Sequence, residues 1–341
     1  MKFNTLMDQL NKKEIAPIYL VLGKEPYQRT KIHNAFLDLI PETEHDFNVG
    51  QYDMETTSLS EAINDASSAP FFGNWRVVFI NDPYFLTAEM KHSKIKHEID
   101  ELINYIKKPL NTTILVICAP YDKLDGRKKI TKLLKQTAVL VESNPLSESE
   151  VRFEIQTVLR QQHYQIESRA LDVLVERTGA NLNIAMNEVE KLKLAAHADH
   201  LITLSEVKQL VSLSLEQNIF DLVDVVLNHQ VSVALEMYHN LILQKEEPLK
   251  INAILIGQFR LLLQVKILHK NHYGLNDIVN TLKVHPYRAQ LALRKVDYFK
   301  LKDLKQGYLG LVANELKMKS TTTDPELLFQ LFLLKFTGLK K

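Results

Sequence analysis

The 341-residue chain carries 42 basic and 41 acidic residues, a net charge of +1, with 45% hydrophobic and 24% charged residues. That balance is ordinary for a folded globular protein, and it excludes a basic nucleic-acid coat and an acidic tail protein. The length predicts two or three domains at about 150 residues each, and only 10 glycines exclude a low-complexity chain. The single cysteine, Cys118, rules out an internal disulfide framework and any multi-cysteine zinc or iron–sulfur site, which points to a reducing compartment. Met1-Lys2-Phe3-Asn4-Thr5 lacks the apolar stretch of a signal peptide, and no run approaches the roughly 20 apolar residues of a membrane span. A cytoplasmic protein without a membrane partner is expected.

Residues 1–145 alternate short apolar runs with helical patterns. Ile18-Tyr19-Leu20-Val21-Leu22 reads as a buried strand ending at Gly23. Ile32, Ala35, Phe36 and Leu39 then recur on one helix face. Val77-Val78-Phe79-Ile80, Ile114 to Ile117 and Ala138-Val139-Leu140-Val141 read as further strands. Helical patterns lie between them, over about 59–68, 94–107 and 125–136. Continuous apolar strands alternating with helices predict a parallel sheet covered on both faces.

After Asn144-Pro145 only helices are expected. Ser147-Glu148-Ser149-Glu150 and Thr203-Leu204-Ser205-Glu206 fit capping boxes, in which the hydroxyl and the Glu carboxylate satisfy orphan backbone N–H groups. Gly179 can end a helix that follows Ser168, and Asn181 can cap the next. Four short helices are thus expected over 146–213, and longer ones over 214–341. Residues 249–270 are apolar on most sides, broken only by polar residues such as Gln258, Arg260, Gln264 and Lys266, as suits the central helix of a bundle. The three segments carry net charges of −1, −3 and +5, so the mild positive bias lies at the C-terminal end.

A strand, a glycine and a helix at the start of the chain occupy the place of a phosphate-binding loop. That loop needs G-x-x-x-x-G-K-[ST], whose backbone wraps phosphates while the Lys neutralises them. The eight positions read Gly23-Lys24-Glu25-Pro26-Tyr27-Gln28-Arg29-Thr30. Gly23 and Thr30 fit, but Gln28 replaces the second glycine and Arg29 the lysine. A plain strand-to-helix turn is expected here, with no ATP hydrolysis and no cofactor. The 12 histidines are scattered, and the pairs His92/His97 and His197/His200 lack a carboxylate or Cys set at metal-ligand spacing. They read as solvated surface residues, Cys118 as a buried core residue, and no catalytic or metal site is expected.

Ser67-Ser68-Ala69-Pro70-Phe71-Phe72-Gly73-Asn74-Trp75-Arg76 stands out. Pro70 stops a helix and Gly73 releases the chain. Two arrangements are open: both rings sit on a protrusion that fits a partner's pocket, or one ring is core and the other half-buried. Further on, His285-Pro286-Tyr287-Arg288 opens a helix, since Pro suits its first position. Arg288 and Lys295, seven apart, share a stripe that can contact DNA phosphates with Tyr287 stacking beside them. The alternative there is a capped surface helix with a half-buried Tyr.

These segments, in this order, resemble the delta subunit of the bacterial DNA polymerase III clamp loader. The resemblance rests on Pro17-Ile18-Tyr19-Leu20-Val21-Leu22-Gly23-Lys24-Glu25-Pro26-Tyr27 and Pro70-Phe71-Phe72-Gly73-Asn74-Trp75-Arg76-Val77-Val78. It also rests on Asp125-Gly126-Arg127-Lys128-Lys129, Asn187-Glu188-Val189-Glu190-Lys191-Leu192, Asn218-Ile219-Phe220-Asp221-Leu222 and His285-Pro286-Tyr287. It implies a RecA-like, degenerate AAA+ α/β domain over 1–145, a small helical lid over 146–213 and an all-α collar over 214–341. It implies a non-hydrolysing subunit of the DNA-directed DNA polymerase holoenzyme, a nucleotidyltransferase assembly, that binds and opens the sliding clamp during DNA replication. Phe71 and Phe72 match the family's clamp-binding pair, which is often Leu-Phe, and Tyr287 lies near an aromatic that can meet template DNA. The implied partners are the sliding clamp (the beta subunit), the other loader subunits (tau/gamma and delta prime) and primer-template DNA. The residues alone also fit a DNA-binding or scaffold protein with a degenerate NTPase module.

Overall fold

A computed structural model of the chain describes residues 1, 3–88 and 95–338. They form two compact units, Met1–Pro145 and Leu146–Lys341. The first has five strands, β1 (Ile18–Leu22), β2 (Val49–Asp53), β3 (Arg76–Asn81), β4 (Thr113–Ala119) and β5 (Val139–Glu142). Its helices are α1 (Phe3–Asn11), α2 (Pro26–Leu37), the single turn α3 (His45–Asn48), α4 (Leu59–Ala66), α5 (Ile99–Lys107) and α6 (Lys129–Thr137). The pattern expected from residue 94 starts as a helix only at Ile99, and residue 94 lies outside the described residues, as does His92.

The strands pair in the order β2-β3-β4-β1-β5, all parallel. Successive strand side chains point to opposite faces, so a sheet covered on both sides needs apolar residues at every position. Tyr19, Val21, Val77, Phe79, Ile114 and Val116 pack with residues of α1 and α2. Ile18, Leu20, Val78, Ile80, Leu115 and Ile117 pack with residues of α4, α5 and α6. All seven residues of β4 are buried. The expected α/β fold with a parallel sheet is therefore what the first unit adopts. β2, which was not expected, pairs only with β3 at the sheet edge, and its residues are exposed or half-buried.

The second unit is helical. α7 (Glu148–Gln161), α8 (Ser168–Arg177), α9 (Leu182–Ala195) and α10 (Leu204–Leu210) come first. Both expected capping boxes are formed, Ser147 with Glu150 and Thr203 with Glu206, and Asn181 Oδ1 accepts from the Ile184 N–H at 3.0 Å. The helix-only expectation needs one correction. β6 (Gln165–Ile166) and β7 (Leu201–Ile202) pair in parallel, two residues each.

Longer helices follow: α11 (Leu215–Leu227), α12 (Val231–Leu243), α13 (Pro248–Lys270), α14 (Leu275–Leu282), α15 (Pro286–Lys295), α16 (Leu301–Ser320) and α17 (Pro325–Thr337). α13 packs against α11, α15 and α16, and its Leu255, Phe259, Leu262 and Val265 lie in the core with Leu311 and Phe329. The 23 residues of α13 are long and apolar enough, by length and composition, to cross a membrane, which corrects the expectation that no such run exists. Half of its apolar window is buried inside the protein. A helix packed from several sides needs apolar residues around most of its circumference.

The end of β1 is closely packed by backbone. The Gly23 N–H donates to the Ala119 carbonyl at 3.1 Å, and the Ser143 N–H donates to the Leu22 carbonyl at 2.8 Å. Gly23 has φ +136°, and a Cβ there would lie 2.0 Å from the Ser143 carbonyl oxygen. The glycine is thus required by close backbone approach and by a left-handed φ that other residues resist. Gly23→Ala is expected to cost at least about 2 kcal/mol and to lower the melting temperature by about 4 °C or more. Thermal unfolding checks this, and an unchanged midpoint would show that the approach is not obligatory.

Candidate functional site

The phosphate-loop position holds no loop. α2 starts at Pro26, so Gln28, Arg29 and Thr30 are helical, and the Arg29 N–H donates to the Glu25 carbonyl at 3.2 Å. Gln28 and Glu25 are buried, and the Glu25 N–H donates to the Ser143 carbonyl at 2.9 Å. Pro26 has no N–H to offer an anion. Burial pushes the Glu25 carboxyl above its usual range, with the Tyr27 N–H opposing the shift. The place that would cradle phosphates is therefore filled by helix backbone and the chain's own carboxyl group.

Other titratable residues serve the fold. Cys118 is buried, and burial pushes its thiol up to about 12, so it is a poor nucleophile. His97 departs from the expected solvated histidine: its Nδ1 accepts from the Leu59 N–H at 3.2 Å, and its Nε2 pairs with the Met54 carbonyl at 3.0 Å. Burial lowers its pKa accordingly. Among the described residues, no three His, Cys, Asp or Glu gather as metal ligands.

The aromatic pair is in water. Phe71 is 66% exposed and Phe72 56%, on the segment between α4 and β3, so neither ring is core. Their centroids are 4.7 Å apart in an edge-to-face arrangement. A third ring, Phe47 of α3, is 51% exposed and joins them. It stacks on Phe71 at 5.5 Å and meets Phe72 edge-on at 6.1 Å. A contiguous patch of exposed rings marks an interaction site far more strongly than single exposed residues do.

Local chemistry holds this segment still. The Phe71 N–H and the Phe72 carbonyl lie outside any regular element and need partners. The Asn48 side chain supplies both: Oδ1 accepts from the Phe71 N–H, and Nδ2 donates to the Phe72 carbonyl, each at 2.7 Å. Nδ2 also donates to Glu44 Oε2 at 3.2 Å, and Asn48 is fully buried. Gly73 turns the chain at φ +68°, where a Cβ would lie 2.7 Å from Glu44 Oε2. Arg76, ion-paired with Asp65, donates from Nη2 to the Phe47 carbonyl at 2.9 Å. Pro70 and Gly73 were legible in sequence as brackets of the pair. Phe47 and Asn48 were missed, because they lie more than 20 residues upstream in a polar stretch.

The C-terminal stripe is arranged differently from the expectation. Pro286 does open α15, with His285 Nδ1 accepting from the Tyr287 N–H at 3.3 Å. Tyr287, however, is only 6% exposed, and burial together with nearby Glu148 and Glu176 pushes its phenol up to about 12. Burial also lowers the pKa of Arg288. Lys295 is ion-paired with Asp224 and lies 4.0 Å from the centroid of the Phe220 ring. Tyr287 therefore offers no free face for stacking, and Lys295 is already neutralised. Tyr287, Arg288 and Lys295 do lie on one helix, and tertiary packing buries Tyr287 and half-buries the other two.

Comparison with known proteins extends these observations. A family described as "DNA polymerase III, delta subunit" matches residues 19–144, and "DNA polymerase III delta subunit, C-terminal domain" matches residues 216–336. The chain is 37% identical to DNA polymerase III subunit delta of Bacillus subtilis over 327 residues, covering 96% of this chain and 94% of that one. It is 27% identical to the probable DNA polymerase III subunit delta of Aquifex aeolicus over 209 residues, covering 61% of this chain and 59% of that one. Among solved structures, the DNA clamp loader delta protein of Bacillus subtilis superposes with a TM-score of 0.77 at 36% identity, covering 98% of this chain and 99% of that one.

Titration of the purified chain with ATP and magnesium is expected to give no saturable binding heat and no phosphate release up to millimolar nucleotide. Micromolar binding that is lost in Arg29→Ala would contradict the reading of this turn.

Proposed function

The chain belongs to the DNA polymerase III delta-subunit family, and from that premise we propose that it binds the ring-shaped sliding clamp through Phe71 and Phe72. It holds the ring open within the clamp loader while the ring is placed on primed DNA. The observation that carries this reading is the exposure of both rings on a backbone fixed at both residues. Two Phe side chains supply about 3–6 kcal/mol of apolar transfer on full burial, before association entropy is subtracted. The exposed fraction sets how much of that remains to be gained. Opening the ring requires tighter binding to the sprung interface than to the closed one, because only differential affinity shifts an equilibrium.

In this reading residues 1–145 are the clamp-binding module, 146–213 the lid and 214–341 the collar that packs against the other loader subunits. Leu309 and Leu316 of α16 and Leu327 and Leu331 of α17 are exposed, and a hollow of about 370 Å³ nearby is edged by Lys302, Lys305 and Lys335. These side chains support lateral packing of the collar. The geometry of Tyr287 and Lys295 gives no support to a DNA contact there, so primer-template DNA is assigned to the assembly as a whole.

Phe71→Ala combined with Phe72→Ala is expected to weaken clamp binding at least tenfold, about 1.4 kcal/mol. Because both rings are exposed, stability should change by no more than about 0.5 kcal/mol. Surface plasmon resonance against immobilised clamp, paired with thermal unfolding, checks both. Parental affinity in the double variant would refute the proposal.

A further inference from the structure

We propose that the one-turn helix α3 is part of the docking element: Asn48 positions Phe71 and Phe72, and Phe47 supplies a third ring that the clamp covers. This rests on the reading of Phe71 and Phe72 as the clamp contact. A short segment between a proline and a glycine has few ways to keep two bulky rings in one orientation. Its backbone is outside any helix or strand, so ordinary ladder bonds are not available to it. The Asn48 amide replaces them. A primary amide has one acceptor oxygen and two donor hydrogens, and all are engaged here, on the Phe71 N–H, the Phe72 carbonyl and Glu44 Oε2. It imitates the edge of a neighbouring strand, donating and accepting on one short stretch of chain. The chemistry is specific to Asn at this distance. An ionised Asp cannot donate, Leu can do neither, and Gln carries the amide one methylene too far.

Fixing the backbone on both sides of the pair fixes where both side chains leave the surface. A partner then meets rings already in place, and less conformational freedom is lost on binding. Asn48 does not face the partner itself, since it is fully buried. It acts through the rings and is a positioning residue.

Phe47 precedes Asn48 on the same turn, and its carbonyl is tied by Arg76. Its ring lies within 5.5 Å of Phe71 and 6.1 Å of Phe72, centroid to centroid. An apolar pocket deep enough to close over Phe71 must come into contact with a ring stacked upon it. The occupant is therefore the same sliding clamp, by continuity of one aromatic surface, and the contact is broader than the two adjacent residues in sequence.

The test uses the full-length chain, purified clamp and three variants: Phe47→Ala, Asn48→Ala, and the Phe71→Ala/Phe72→Ala pair as a reference. Clamp affinity, thermal midpoint and backbone hydrogen exchange are measured for each. Phe47→Ala is expected to weaken clamp binding at least threefold with an unchanged midpoint. Asn48→Ala is expected to weaken it at least tenfold, with exchange accelerated at Phe71–Gly73 while β3 and β4 stay protected. Phe47→Ala binding within twofold of the parent, while the reference pair loses binding, would overturn the third-ring assignment. Asn48→Ala with parental exchange at Phe71–Gly73 and parental affinity would overturn the positioning role. If the reference pair binds like the parent, the underlying assignment of Phe71 and Phe72 fails, whatever the α3 variants do.

Discussion

A single buried side-chain amide holds the backbone from which both candidate docking rings hang. Asn48 satisfies the Phe71 N–H and the Phe72 carbonyl at 2.7 Å each, through its side chain and not through a helix or strand ladder. Its own place depends on the sheet. α3 leads directly into β2, β2 pairs with β3, and β3 begins at Arg76, which reaches back to the Phe47 carbonyl. The aromatic surface is thus anchored in a sheet whose two faces are filled with apolar side chains. Large rings kept in water cost solvation, and rigid backbone beneath them converts that cost into a surface ready for a partner.

The same sheet also shapes the turn that stands where a phosphate-binding loop would begin. In open parallel sheets the crevice at the carboxyl ends of the strands is where ligands bind. Here the carboxyl end of β1 is tied to β4 by the Gly23 N–H on the Ala119 carbonyl, and to the chain after β5 by the bonds between Ser143 and both Leu22 and Glu25. α2 begins three residues past Gly23, and a buried carboxyl group sits at its N-terminal end. The positive end of a helix dipole favours an anion, and in this chain the residue beside it is Glu25.

How much of this was legible in the sequence follows from burial. β1, β3 and β4 are buried on both faces, so their residues spell continuous apolar runs, and β5 is short but still apolar. β2 is an edge strand, Val49-Gly50-Gln51-Tyr52-Asp53, and half-polar letters carry no such signal. β6 and β7 are two residues each, too short for any period. Local capping chemistry at Ser147 and Thr203 was readable because donor and acceptor are three residues apart. Phe71 and Phe72 stood out between Pro70 and Gly73, but whether both rings protrude or one is core stayed open until the fold placed both in solvent. Phe47 and Asn48 join them only through tertiary folding. Tyr287 fails in the opposite direction, because helical periodicity gives an azimuth but not the side chains that cover it. The all-round apolar character of α13 was legible as that of a central helix, and α11, α15 and α16 are the neighbours that pack on it.

The most direct test of the central claim is the solvent exposure of Phe71 and Phe72 in an experimental structure of this protein bound to the sliding clamp. The account predicts that both rings, now more than half exposed, are buried in an apolar pocket on the clamp with the Asn48 bonds unchanged. A complex in which the clamp is held elsewhere, with both rings still in solvent, would contradict it.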